Sequence, residues 1–475
     1  MKYISMLVPF KIYIYLLTGA LLVLGSCTNQ LFQDPITSKD LSVFLSNETE
    51  VEEYVNAVYA NLQFNGLYGL YLPAFGEIPS DNTYDEVPAN DDGMYGQLDE
   101  FTTIPANGIV TATWRDSYQG IQKANVVLSR IDAIPYQDEK VKQARKGEMR
   151  FIRALLYFNL VRLYGDVPLV TGQTTNPNAY FGQGRTAADK VYEQIIQDLT
   201  QAIETLPATS SQPGRVSKTA AQSLLGKVYL TQKQYSLAES QLMAVVTSGQ
   251  HLLMTTPAEV FSLSNENNKE IIFAVQFASG INGNTEGSTM FQQFSPSGTQ
   301  TGAKGHNLPT KSLYTLYQQS DLRKDTYVKL TSSGIPFNGK LTKPSNLITD
   351  GGSDVVVLRY ADVLLMLAEV ENELEKTTEA ATYLNQVRQR ANLLPSEAAS
   401  LSDLREAIDL ERRLELVGEG HRWFDLLRTD RAVEVMNSWF KANNKSVTID
   451  THHLLMPVPQ SQVNTDPAIK QNTGY

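Results

Sequence analysis

The sequence predicts a mainly α fold, a helical scaffold that carries a loop-rich subdomain. Three observations lead there. Apolar residues recur at helical spacing through long segments. Several of those segments are paired across very short connections. Two long intervening stretches, rich in Gly, Ser, Thr, Asn and aromatics, show little helical period.

The first helix opens where Asn47 and Glu50 form a capping-box pair, and Val51, Tyr54, Val55, Val58, Tyr59 and Leu62 then line one face. The same periodicity predicts helices over Trp114 to Ile131, Glu139 to Tyr164, Thr186 to Leu206, Ser217 to Thr231, Gln234 to Thr247, Arg359 to Leu374, Thr377 to Ala391 and Ser402 to Val417. Two pairs share a small-large grammar that lets neighbouring helices approach. Ala221, Leu225, Gly226 and Tyr229 precede Tyr235, Ala238, Leu242 and Val246; Ala361, Leu365 and Ala368 precede Ala381, Leu384 and Val387. This resembles a tetratricopeptide helix pair, whose faces are buried by stacking on neighbours; a generic antiparallel hairpin fits nearly as well. The irregular stretches are residues 64–110 and 262–353. A few short strands are expected inside them, such as Glu270 to Phe277, with loops elsewhere, and loops this long inside a compact domain usually carry function.

Ahead of the first helix, Lys2 and Lys11 accompany a hydrophobic run from Ile12 to Leu24. Slim Gly25 and Ser26 follow, then Cys27, the one cysteine among 475 residues. That order reads as a lipoprotein signal: Met1 to Ser26 removed, Cys27 acylated, and residues 27–46 left as a lipidated tether. An anchor helix over Tyr3 to Leu24 is the competing reading, but no basic flank follows Cys27. A single cysteine also excludes a disulfide framework and a cysteine-based metal site. Residues 47–475 remain for the folded body, as one large domain or two intimately packed ones. A formal charge of -11 argues against a nucleic-acid partner, which would need a basic face.

Motifs of catalysis are missing: no HExxH, GxSxG, phosphate loop or GxGxxG occurs, and no cofactor is expected. His452 and His453 are adjacent, so on a strand they would face opposite ways and could share a metal only across a turn; no metal site is expected. The densest polar cluster runs from Glu411 to Leu426, where Arg412, Arg413, Glu415, Glu419, His421, Arg422 and Asp425 alternate with Leu414, Val417, Trp423 and Leu426. Buried Arg and Glu need partners, so the cluster reads as a structural ion-pair network ahead of a catalytic site. Glu148, Arg150 and Arg153 invite the same reading.

Several of these elements together carry a family resemblance. They are Trp114 to Tyr118 with Ile121, Ala124 and Asn125; Glu148 to Ala154 running into Leu163 to Leu169; Arg215, Ala220 and Ala221; Leu358 to Leu365 with Ala368 and Glu369; Leu384 to Arg388; the Glu411 to Leu426 cluster; and the closing Gln471 to Tyr475. In order and spacing the chain resembles the SusD/RagB family of nutrient-binding lipoproteins of Bacteroidetes-type bacteria. The resemblance implies a SusD-like scaffold of tetratricopeptide-like pairs, no catalysis, and lipid anchoring at the outer membrane facing the exterior. It also implies a SusC-like TonB-dependent transporter as partner and an oligosaccharide as ligand. A RagB-like peptide binder is the alternative, and a lipid-anchored glycoside hydrolase a distant third, which would need two carboxylates across a cleft.

The family fixes no ligand residue, so the irregular segments must supply them. Tyr68, Tyr71, Phe75, Tyr84 and Tyr95 surround Asp81, Asn82, Asp85 and Asn90 in a Gly/Pro-broken stretch. Flat rings cover the apolar side of a sugar while carboxylates and amides bind its hydroxyls. Phe291, Phe294, Tyr314 and Tyr317 would add a second wall; Arg359, part of the shared family pattern, is either scaffold or within reach of a ligand hydroxyl and ranks below Asp81 and Tyr84. The expected ligand set is Tyr68, Tyr71, Asp81, Asn82, Tyr84, Tyr95, Phe291, Phe294 and Arg359, with core packing of the loop subdomain as the competing role for each aromatic.

Overall fold

The computed structural model describes residues 45–475 apart from 177, 211 and 281–285. The expected signal peptide at 1–26, Cys27, and all of the 27–46 tether except Leu45 and Ser46 lie outside the described residues. Among the described residues, no helix is long and apolar enough to cross a membrane.

The fold is mainly α, as predicted. Helix α1 (Glu48–Asn61) starts where Asn47 accepts the N–H of Glu50 at 3.0 Å. Glu50 turns back to the N–H of Ser46 at 2.8 Å, so the predicted box closes one residue before Asn47. Within residues 64–110, α2 (Tyr71–Glu77) and α3 (Met94–Asp99) interrupt what was expected to be loop. Each is two turns or less, too short for a 3.6-residue period to show.

Helix α4 (Gly108–Arg130) begins before its apolar stripe because Asn107 caps it, accepting from Ile109 at 2.8 Å and Val110 at 3.3 Å. Helix α5 (Glu139–Tyr164) is the centre of the core. Every residue from Phe151 to Val161 is buried, which requires neighbours on all sides; α4 and α6 (Ala188–Thr205) are the principal ones. Helices α7 (Lys218–Thr231) and α8 (Tyr235–Thr247) form the predicted pair. A Cβ on Gly226 would lie 2.6 Å from the Leu242 side chain, so the small residue sets their approach.

The second pair, α9 (Tyr360–Glu373) and α10 (Thr377–Arg390), packs with α11 (Leu401–Glu415) around Leu364, Leu365, Ala368, Leu384 and Leu404. Two helices absent from the periodicity reading follow, α12 (Arg422–Arg428) and α13 (Ala432–Ala442).

The strands are few and short. Thr83–Tyr84 (β1) pairs with Leu308–Pro309 (β3), and Val328–Leu330 (β4) forms a hairpin with Pro336–Asn338 (β5). The expected strand at 270–277 is present as Ile271–Val275 (β2), antiparallel to Val355–Arg359 (β6). Arg359 therefore ends a strand, and the helix predicted to begin there starts at Tyr360.

Candidate functional site

The Glu411 to Leu426 cluster is where the loop layer is fastened to the scaffold. Glu415 is fully buried and collects three guanidinium groups: Arg323 from the loop layer at 3.0 Å, Arg359 from the end of β6 at 2.7 Å, and Arg390 from α10. Arg323 also binds Asp321 at 2.9 Å and Glu411 at 2.6 Å, and Arg359 binds Glu270 at 2.9 Å and Glu419 at 2.7 Å. Around the following turn, Arg412 bridges Asp362 and Asp425, and Arg428 bridges Asp425 and Glu369. Burial opposes charge on Glu419, but Arg359 and Lys340 outweigh it and hold the carboxyl down to about 2. These charges are paired with one another in the interior, which is the arrangement of a structural network.

That network takes up several residues expected to meet a ligand. Arg359, expected near a ligand hydroxyl, is instead enclosed by three carboxylates with 1% of its surface exposed. Asp81 is bound by Arg422 at 2.8 Å and by Arg413 at 3.1 Å. Burial would raise its pKa, but the two guanidinium groups lower it overall. Asn82 accepts from Arg413 Nε at 2.6 Å. All three are buried and face protein partners, so they join the loop layer to α11 and α12 and leave no face for a sugar.

Most of the expected aromatics are core residues too. Tyr68 is buried, with its hydroxyl accepting from Asn159 at 2.9 Å and pushed up to about 12, chiefly by burial. Tyr95 stacks on His306 at 4.0 Å and meets Tyr71 edge-on at 6.2 Å. His306 itself is clamped, with Nδ1 2.9 Å from Asp85 and Nε2 2.9 Å from Asp91. Phe75, Phe291, Phe294 and Tyr317 are buried, and the Tyr317 hydroxyl donates to the Leu414 carbonyl at 2.7 Å. Tyr314, half-buried, donates to Asp325 at 2.7 Å. Tyr68, Phe75, Tyr95 and Phe294 thus belong to the main core shared with the scaffold helices, and Tyr317 to a smaller cluster with Tyr327 and Leu414, so packing takes up these rings.

Two of the nine remain accessible. Tyr84 is half-buried on β1, with burial, Glu86 and Asp99 raising the pKa of its hydroxyl. Tyr71 opens α2, held from behind by the Tyr95 and His306 stack. Its pKa is raised by burial and by the carboxylates of Asp91 and Asp116 and lowered by Arg115; Arg115 and Asp116 line a neighbouring cleft.

That cleft, of about 420 Å³, is lined by Gln63, Phe64, Asn65, Gly69, Arg115, Asp116, Phe277 and residues 287–289. Phe64 presents an exposed ring, with the Lys123 ammonium 5.2 Å from its centre. Arg115 extends into solvent with 68% of its side chain exposed, steadied at its base by Asp116 at 2.7 Å. Asp116 also accepts the N–H of Gly66 at 3.1 Å, which ties the Phe64 turn to α4. A second cleft of about 410 Å³ adjoins at Gln63 and is lined by Tyr59, Gln212, Arg215 and Gln276 among others. Gln63 donates to the Gln276 carbonyl at 2.9 Å and to Glu286 at 2.7 Å between the two. Together they offer flat aromatic faces beside amides, hydroxyls and a free-reaching guanidinium, a combination suited to a polyhydroxylated ligand. Phe64, Asn65 and Gly69 of this cleft come from the irregular segment 64–110, while neither Phe64 nor Arg115 belongs to the ligand set expected from sequence. Arg115 sits inside the Trp114 to Tyr118 motif, and its neighbours there are buried, which disguises its exposure.

Two family models match the chain: the one described as SusD family over residues 330–475, and the one described as starch-binding associating with outer membrane over residues 34–230. A SusD-like protein of Formosa agariphila is 26% identical, with 98% of each chain covered. Among solved structures, a laminarin-binding SusD-like protein is 28% identical, superposes with a TM-score of 0.78, and is matched over 90% of this chain and 100% of its own. Surface glycan-binding protein A from Bacteroides thetaiotaomicron, solved with laminarihexaose, gives a TM-score of 0.76 over 90% of this chain and 99% of that one; at 22% identity the likeness concerns the fold.

Proposed function

The chain belongs to the SusD/RagB family, and from that premise we propose that it is a non-catalytic glycan-binding lipoprotein of the outer membrane. It captures an oligosaccharide and passes it to a SusC-like TonB-dependent transporter. The observation that carries this reading is the cleft where the partly exposed Phe64 ring stands beside Asn65 and Arg115 on a SusD-like scaffold. The glycan ligands in the names of similar structures support it.

In this reading, Phe64 and Tyr71 stack on the C–H faces of successive sugar rings, and Arg115, Asn65, Ser288 and Thr289 bind hydroxyls. Affinity comes from a few such contacts, which suits a cargo that is handed on. Calorimetric titration of the soluble body, residues 28–475, against laminarihexaose, other oligosaccharides and peptides tests the ligand class. Saturable binding of a glycan without its cleavage is expected. Peptide binding alone would favour the RagB-like alternative, and cleavage of the glycan would replace both. Anchoring is tested separately: Cys27→Ala should release the protein from the membrane fraction while leaving soluble ligand binding intact.

A further inference from the structure

We propose that Asp450, His452 and His453 form a binding site for a divalent transition-metal ion of the zinc class. The sequence alone argues against it, because adjacent histidines on a strand diverge. The chain here is a 3-10 turn, Thr451–Leu454, where successive side chains are separated by roughly a third of a revolution. That is less than the half-revolution of a strand, and the two imidazoles fold toward each other with ring centres 3.6 Å apart.

Asp450 organises the pair. As the N-cap residue its Oδ1 accepts the His452 N–H at 2.9 Å, and the same oxygen lies 2.5 Å from His452 Nδ1 and 3.4 Å from His453 Nδ1. One potential ligand atom from each of the three residues falls within 4.8 Å of the other two. Ligands bound at about 2.0–2.1 Å to a tetrahedral ion are separated by roughly 3.4 Å, so small side-chain rotations would close the set. His453 Nδ1 already accepts the Asp450 N–H at 3.1 Å, and coordination would exchange that hydrogen bond for a metal bond.

The surroundings hold the rings in place. His453 meets Phe101 edge-on at 6.0 Å, and His452 meets Tyr475 at 5.8 Å. The chain end passes so close that a Cβ on Gly474, whose φ is +97°, would lie 2.6 Å from the His452 ring. Two imidazoles and one carboxylate select a borderline ion such as Zn²⁺ over Ca²⁺ or Mg²⁺, which prefer oxygen ligands throughout. With the Asp450 side chain 70% exposed, solvent can supply the fourth ligand.

The test is titration of Zn²⁺ into tag-free, chelator-stripped protein, by calorimetry and by competition with a chromogenic chelator. One equivalent should bind, Ca²⁺ and Mg²⁺ should not displace it, and His452→Ala or His453→Ala should each weaken binding by about 100-fold, as for loss of a tight metal contact. His251→Ala should leave it unchanged. Circular dichroism in chelator should be the same for all variants, since Asp450 is exposed and neither imidazole is fully buried. Should either variant misfold, Co²⁺ added to the wild-type protein provides an independent readout: visible absorption bands of a four-coordinate nitrogen and oxygen site are expected. Absence of saturable Zn²⁺ binding, binding that survives both substitutions, or a Co²⁺ spectrum identical to the aqueous ion would each overturn the proposal.

Discussion

The network around Glu415 and the cleft beside Phe64 both gather charged groups and aromatic rings, yet they use them in opposite ways. In the network, carboxylates and guanidinium groups from distant segments face one another away from water. In the cleft, Phe64 and Arg115 face solvent, steadied only from one side by Lys123 and Asp116. Polar and aromatic composition therefore does not identify a binding surface in this fold. What distinguishes the cleft is that its side chains have a free face.

The sharpest way to break the comparison is to remove a shared partner from the network. Glu415→Ala would leave Arg323, Arg359 and Arg390 buried beside a missing charge, and a loss of about 3–5 kcal/mol or more is expected. Urea unfolding measures it. A change under 1 kcal/mol would mean that the network does not hold the loop layer down. Gly76→Ala should also be severe, because a Cβ there would lie 2.0 Å from the Gly420 carbonyl, where α2 backs onto the network's turn.

A second effect depends on pH. Glu77 lies fully buried under that turn and is pushed up to about 7, mainly by burial, although the N–H groups of His421 and Gly420 favour its charged form. Because this folded value exceeds the ordinary 4.5, its contribution is complete below about pH 4.5 and is lost as pH rises through 7. Glu77→Gln stays neutral throughout. Its unfolding free energy should be close to wild type near pH 5 and exceed it at pH 8 by about 1–3 kcal/mol. A constant difference between the two across that range would refute the assignment.

Smaller still is Tyr68→Phe, which removes the hydroxyl that accepts from Asn159 and should cost about 1 kcal/mol without altering ligand affinity. A loss of binding with unchanged stability would return Tyr68 to the ligand surface. At the far end of the scale, Phe64→Ala should cost no more than about 1 kcal/mol, since the residue is only partly covered, with 37% of it exposed.

How much of this could be read in advance follows from the same contrast. The long helices were legible because their apolar residues recur at helical spacing, as at Val51, Val55 and Val58, which are all buried. The ion-pair reading of Glu411 to Asp425 was legible because those charges alternate with large apolar residues. The destination of Asp81 was not, since its partner Arg422 lies 341 positions away and only the fold brings them together. The same applies to Tyr95, whose stacking partner His306 comes from the other irregular segment. Local composition marked a loop layer rich in rings and carboxylates but could not say which of them close on one another. For His452 and His453 the sequence left open a strand, on which the rings diverge, and a turn; the turn capped by Asp450 is the one that forms.

The central claim is that ligand contact resides at the cleft and is separable from the buried network. The Phe64→Ala/Tyr71→Ala double variant tests it by affinity electrophoresis through gels containing laminarin or other polysaccharides, beside a thermal unfolding scan. The account predicts that whichever glycan retards the wild-type protein loses at least about tenfold in affinity for the variant, equivalent to about 1.4 kcal/mol, while the melting temperature stays within a few degrees. Retardation of the variant equal to that of wild type would contradict it.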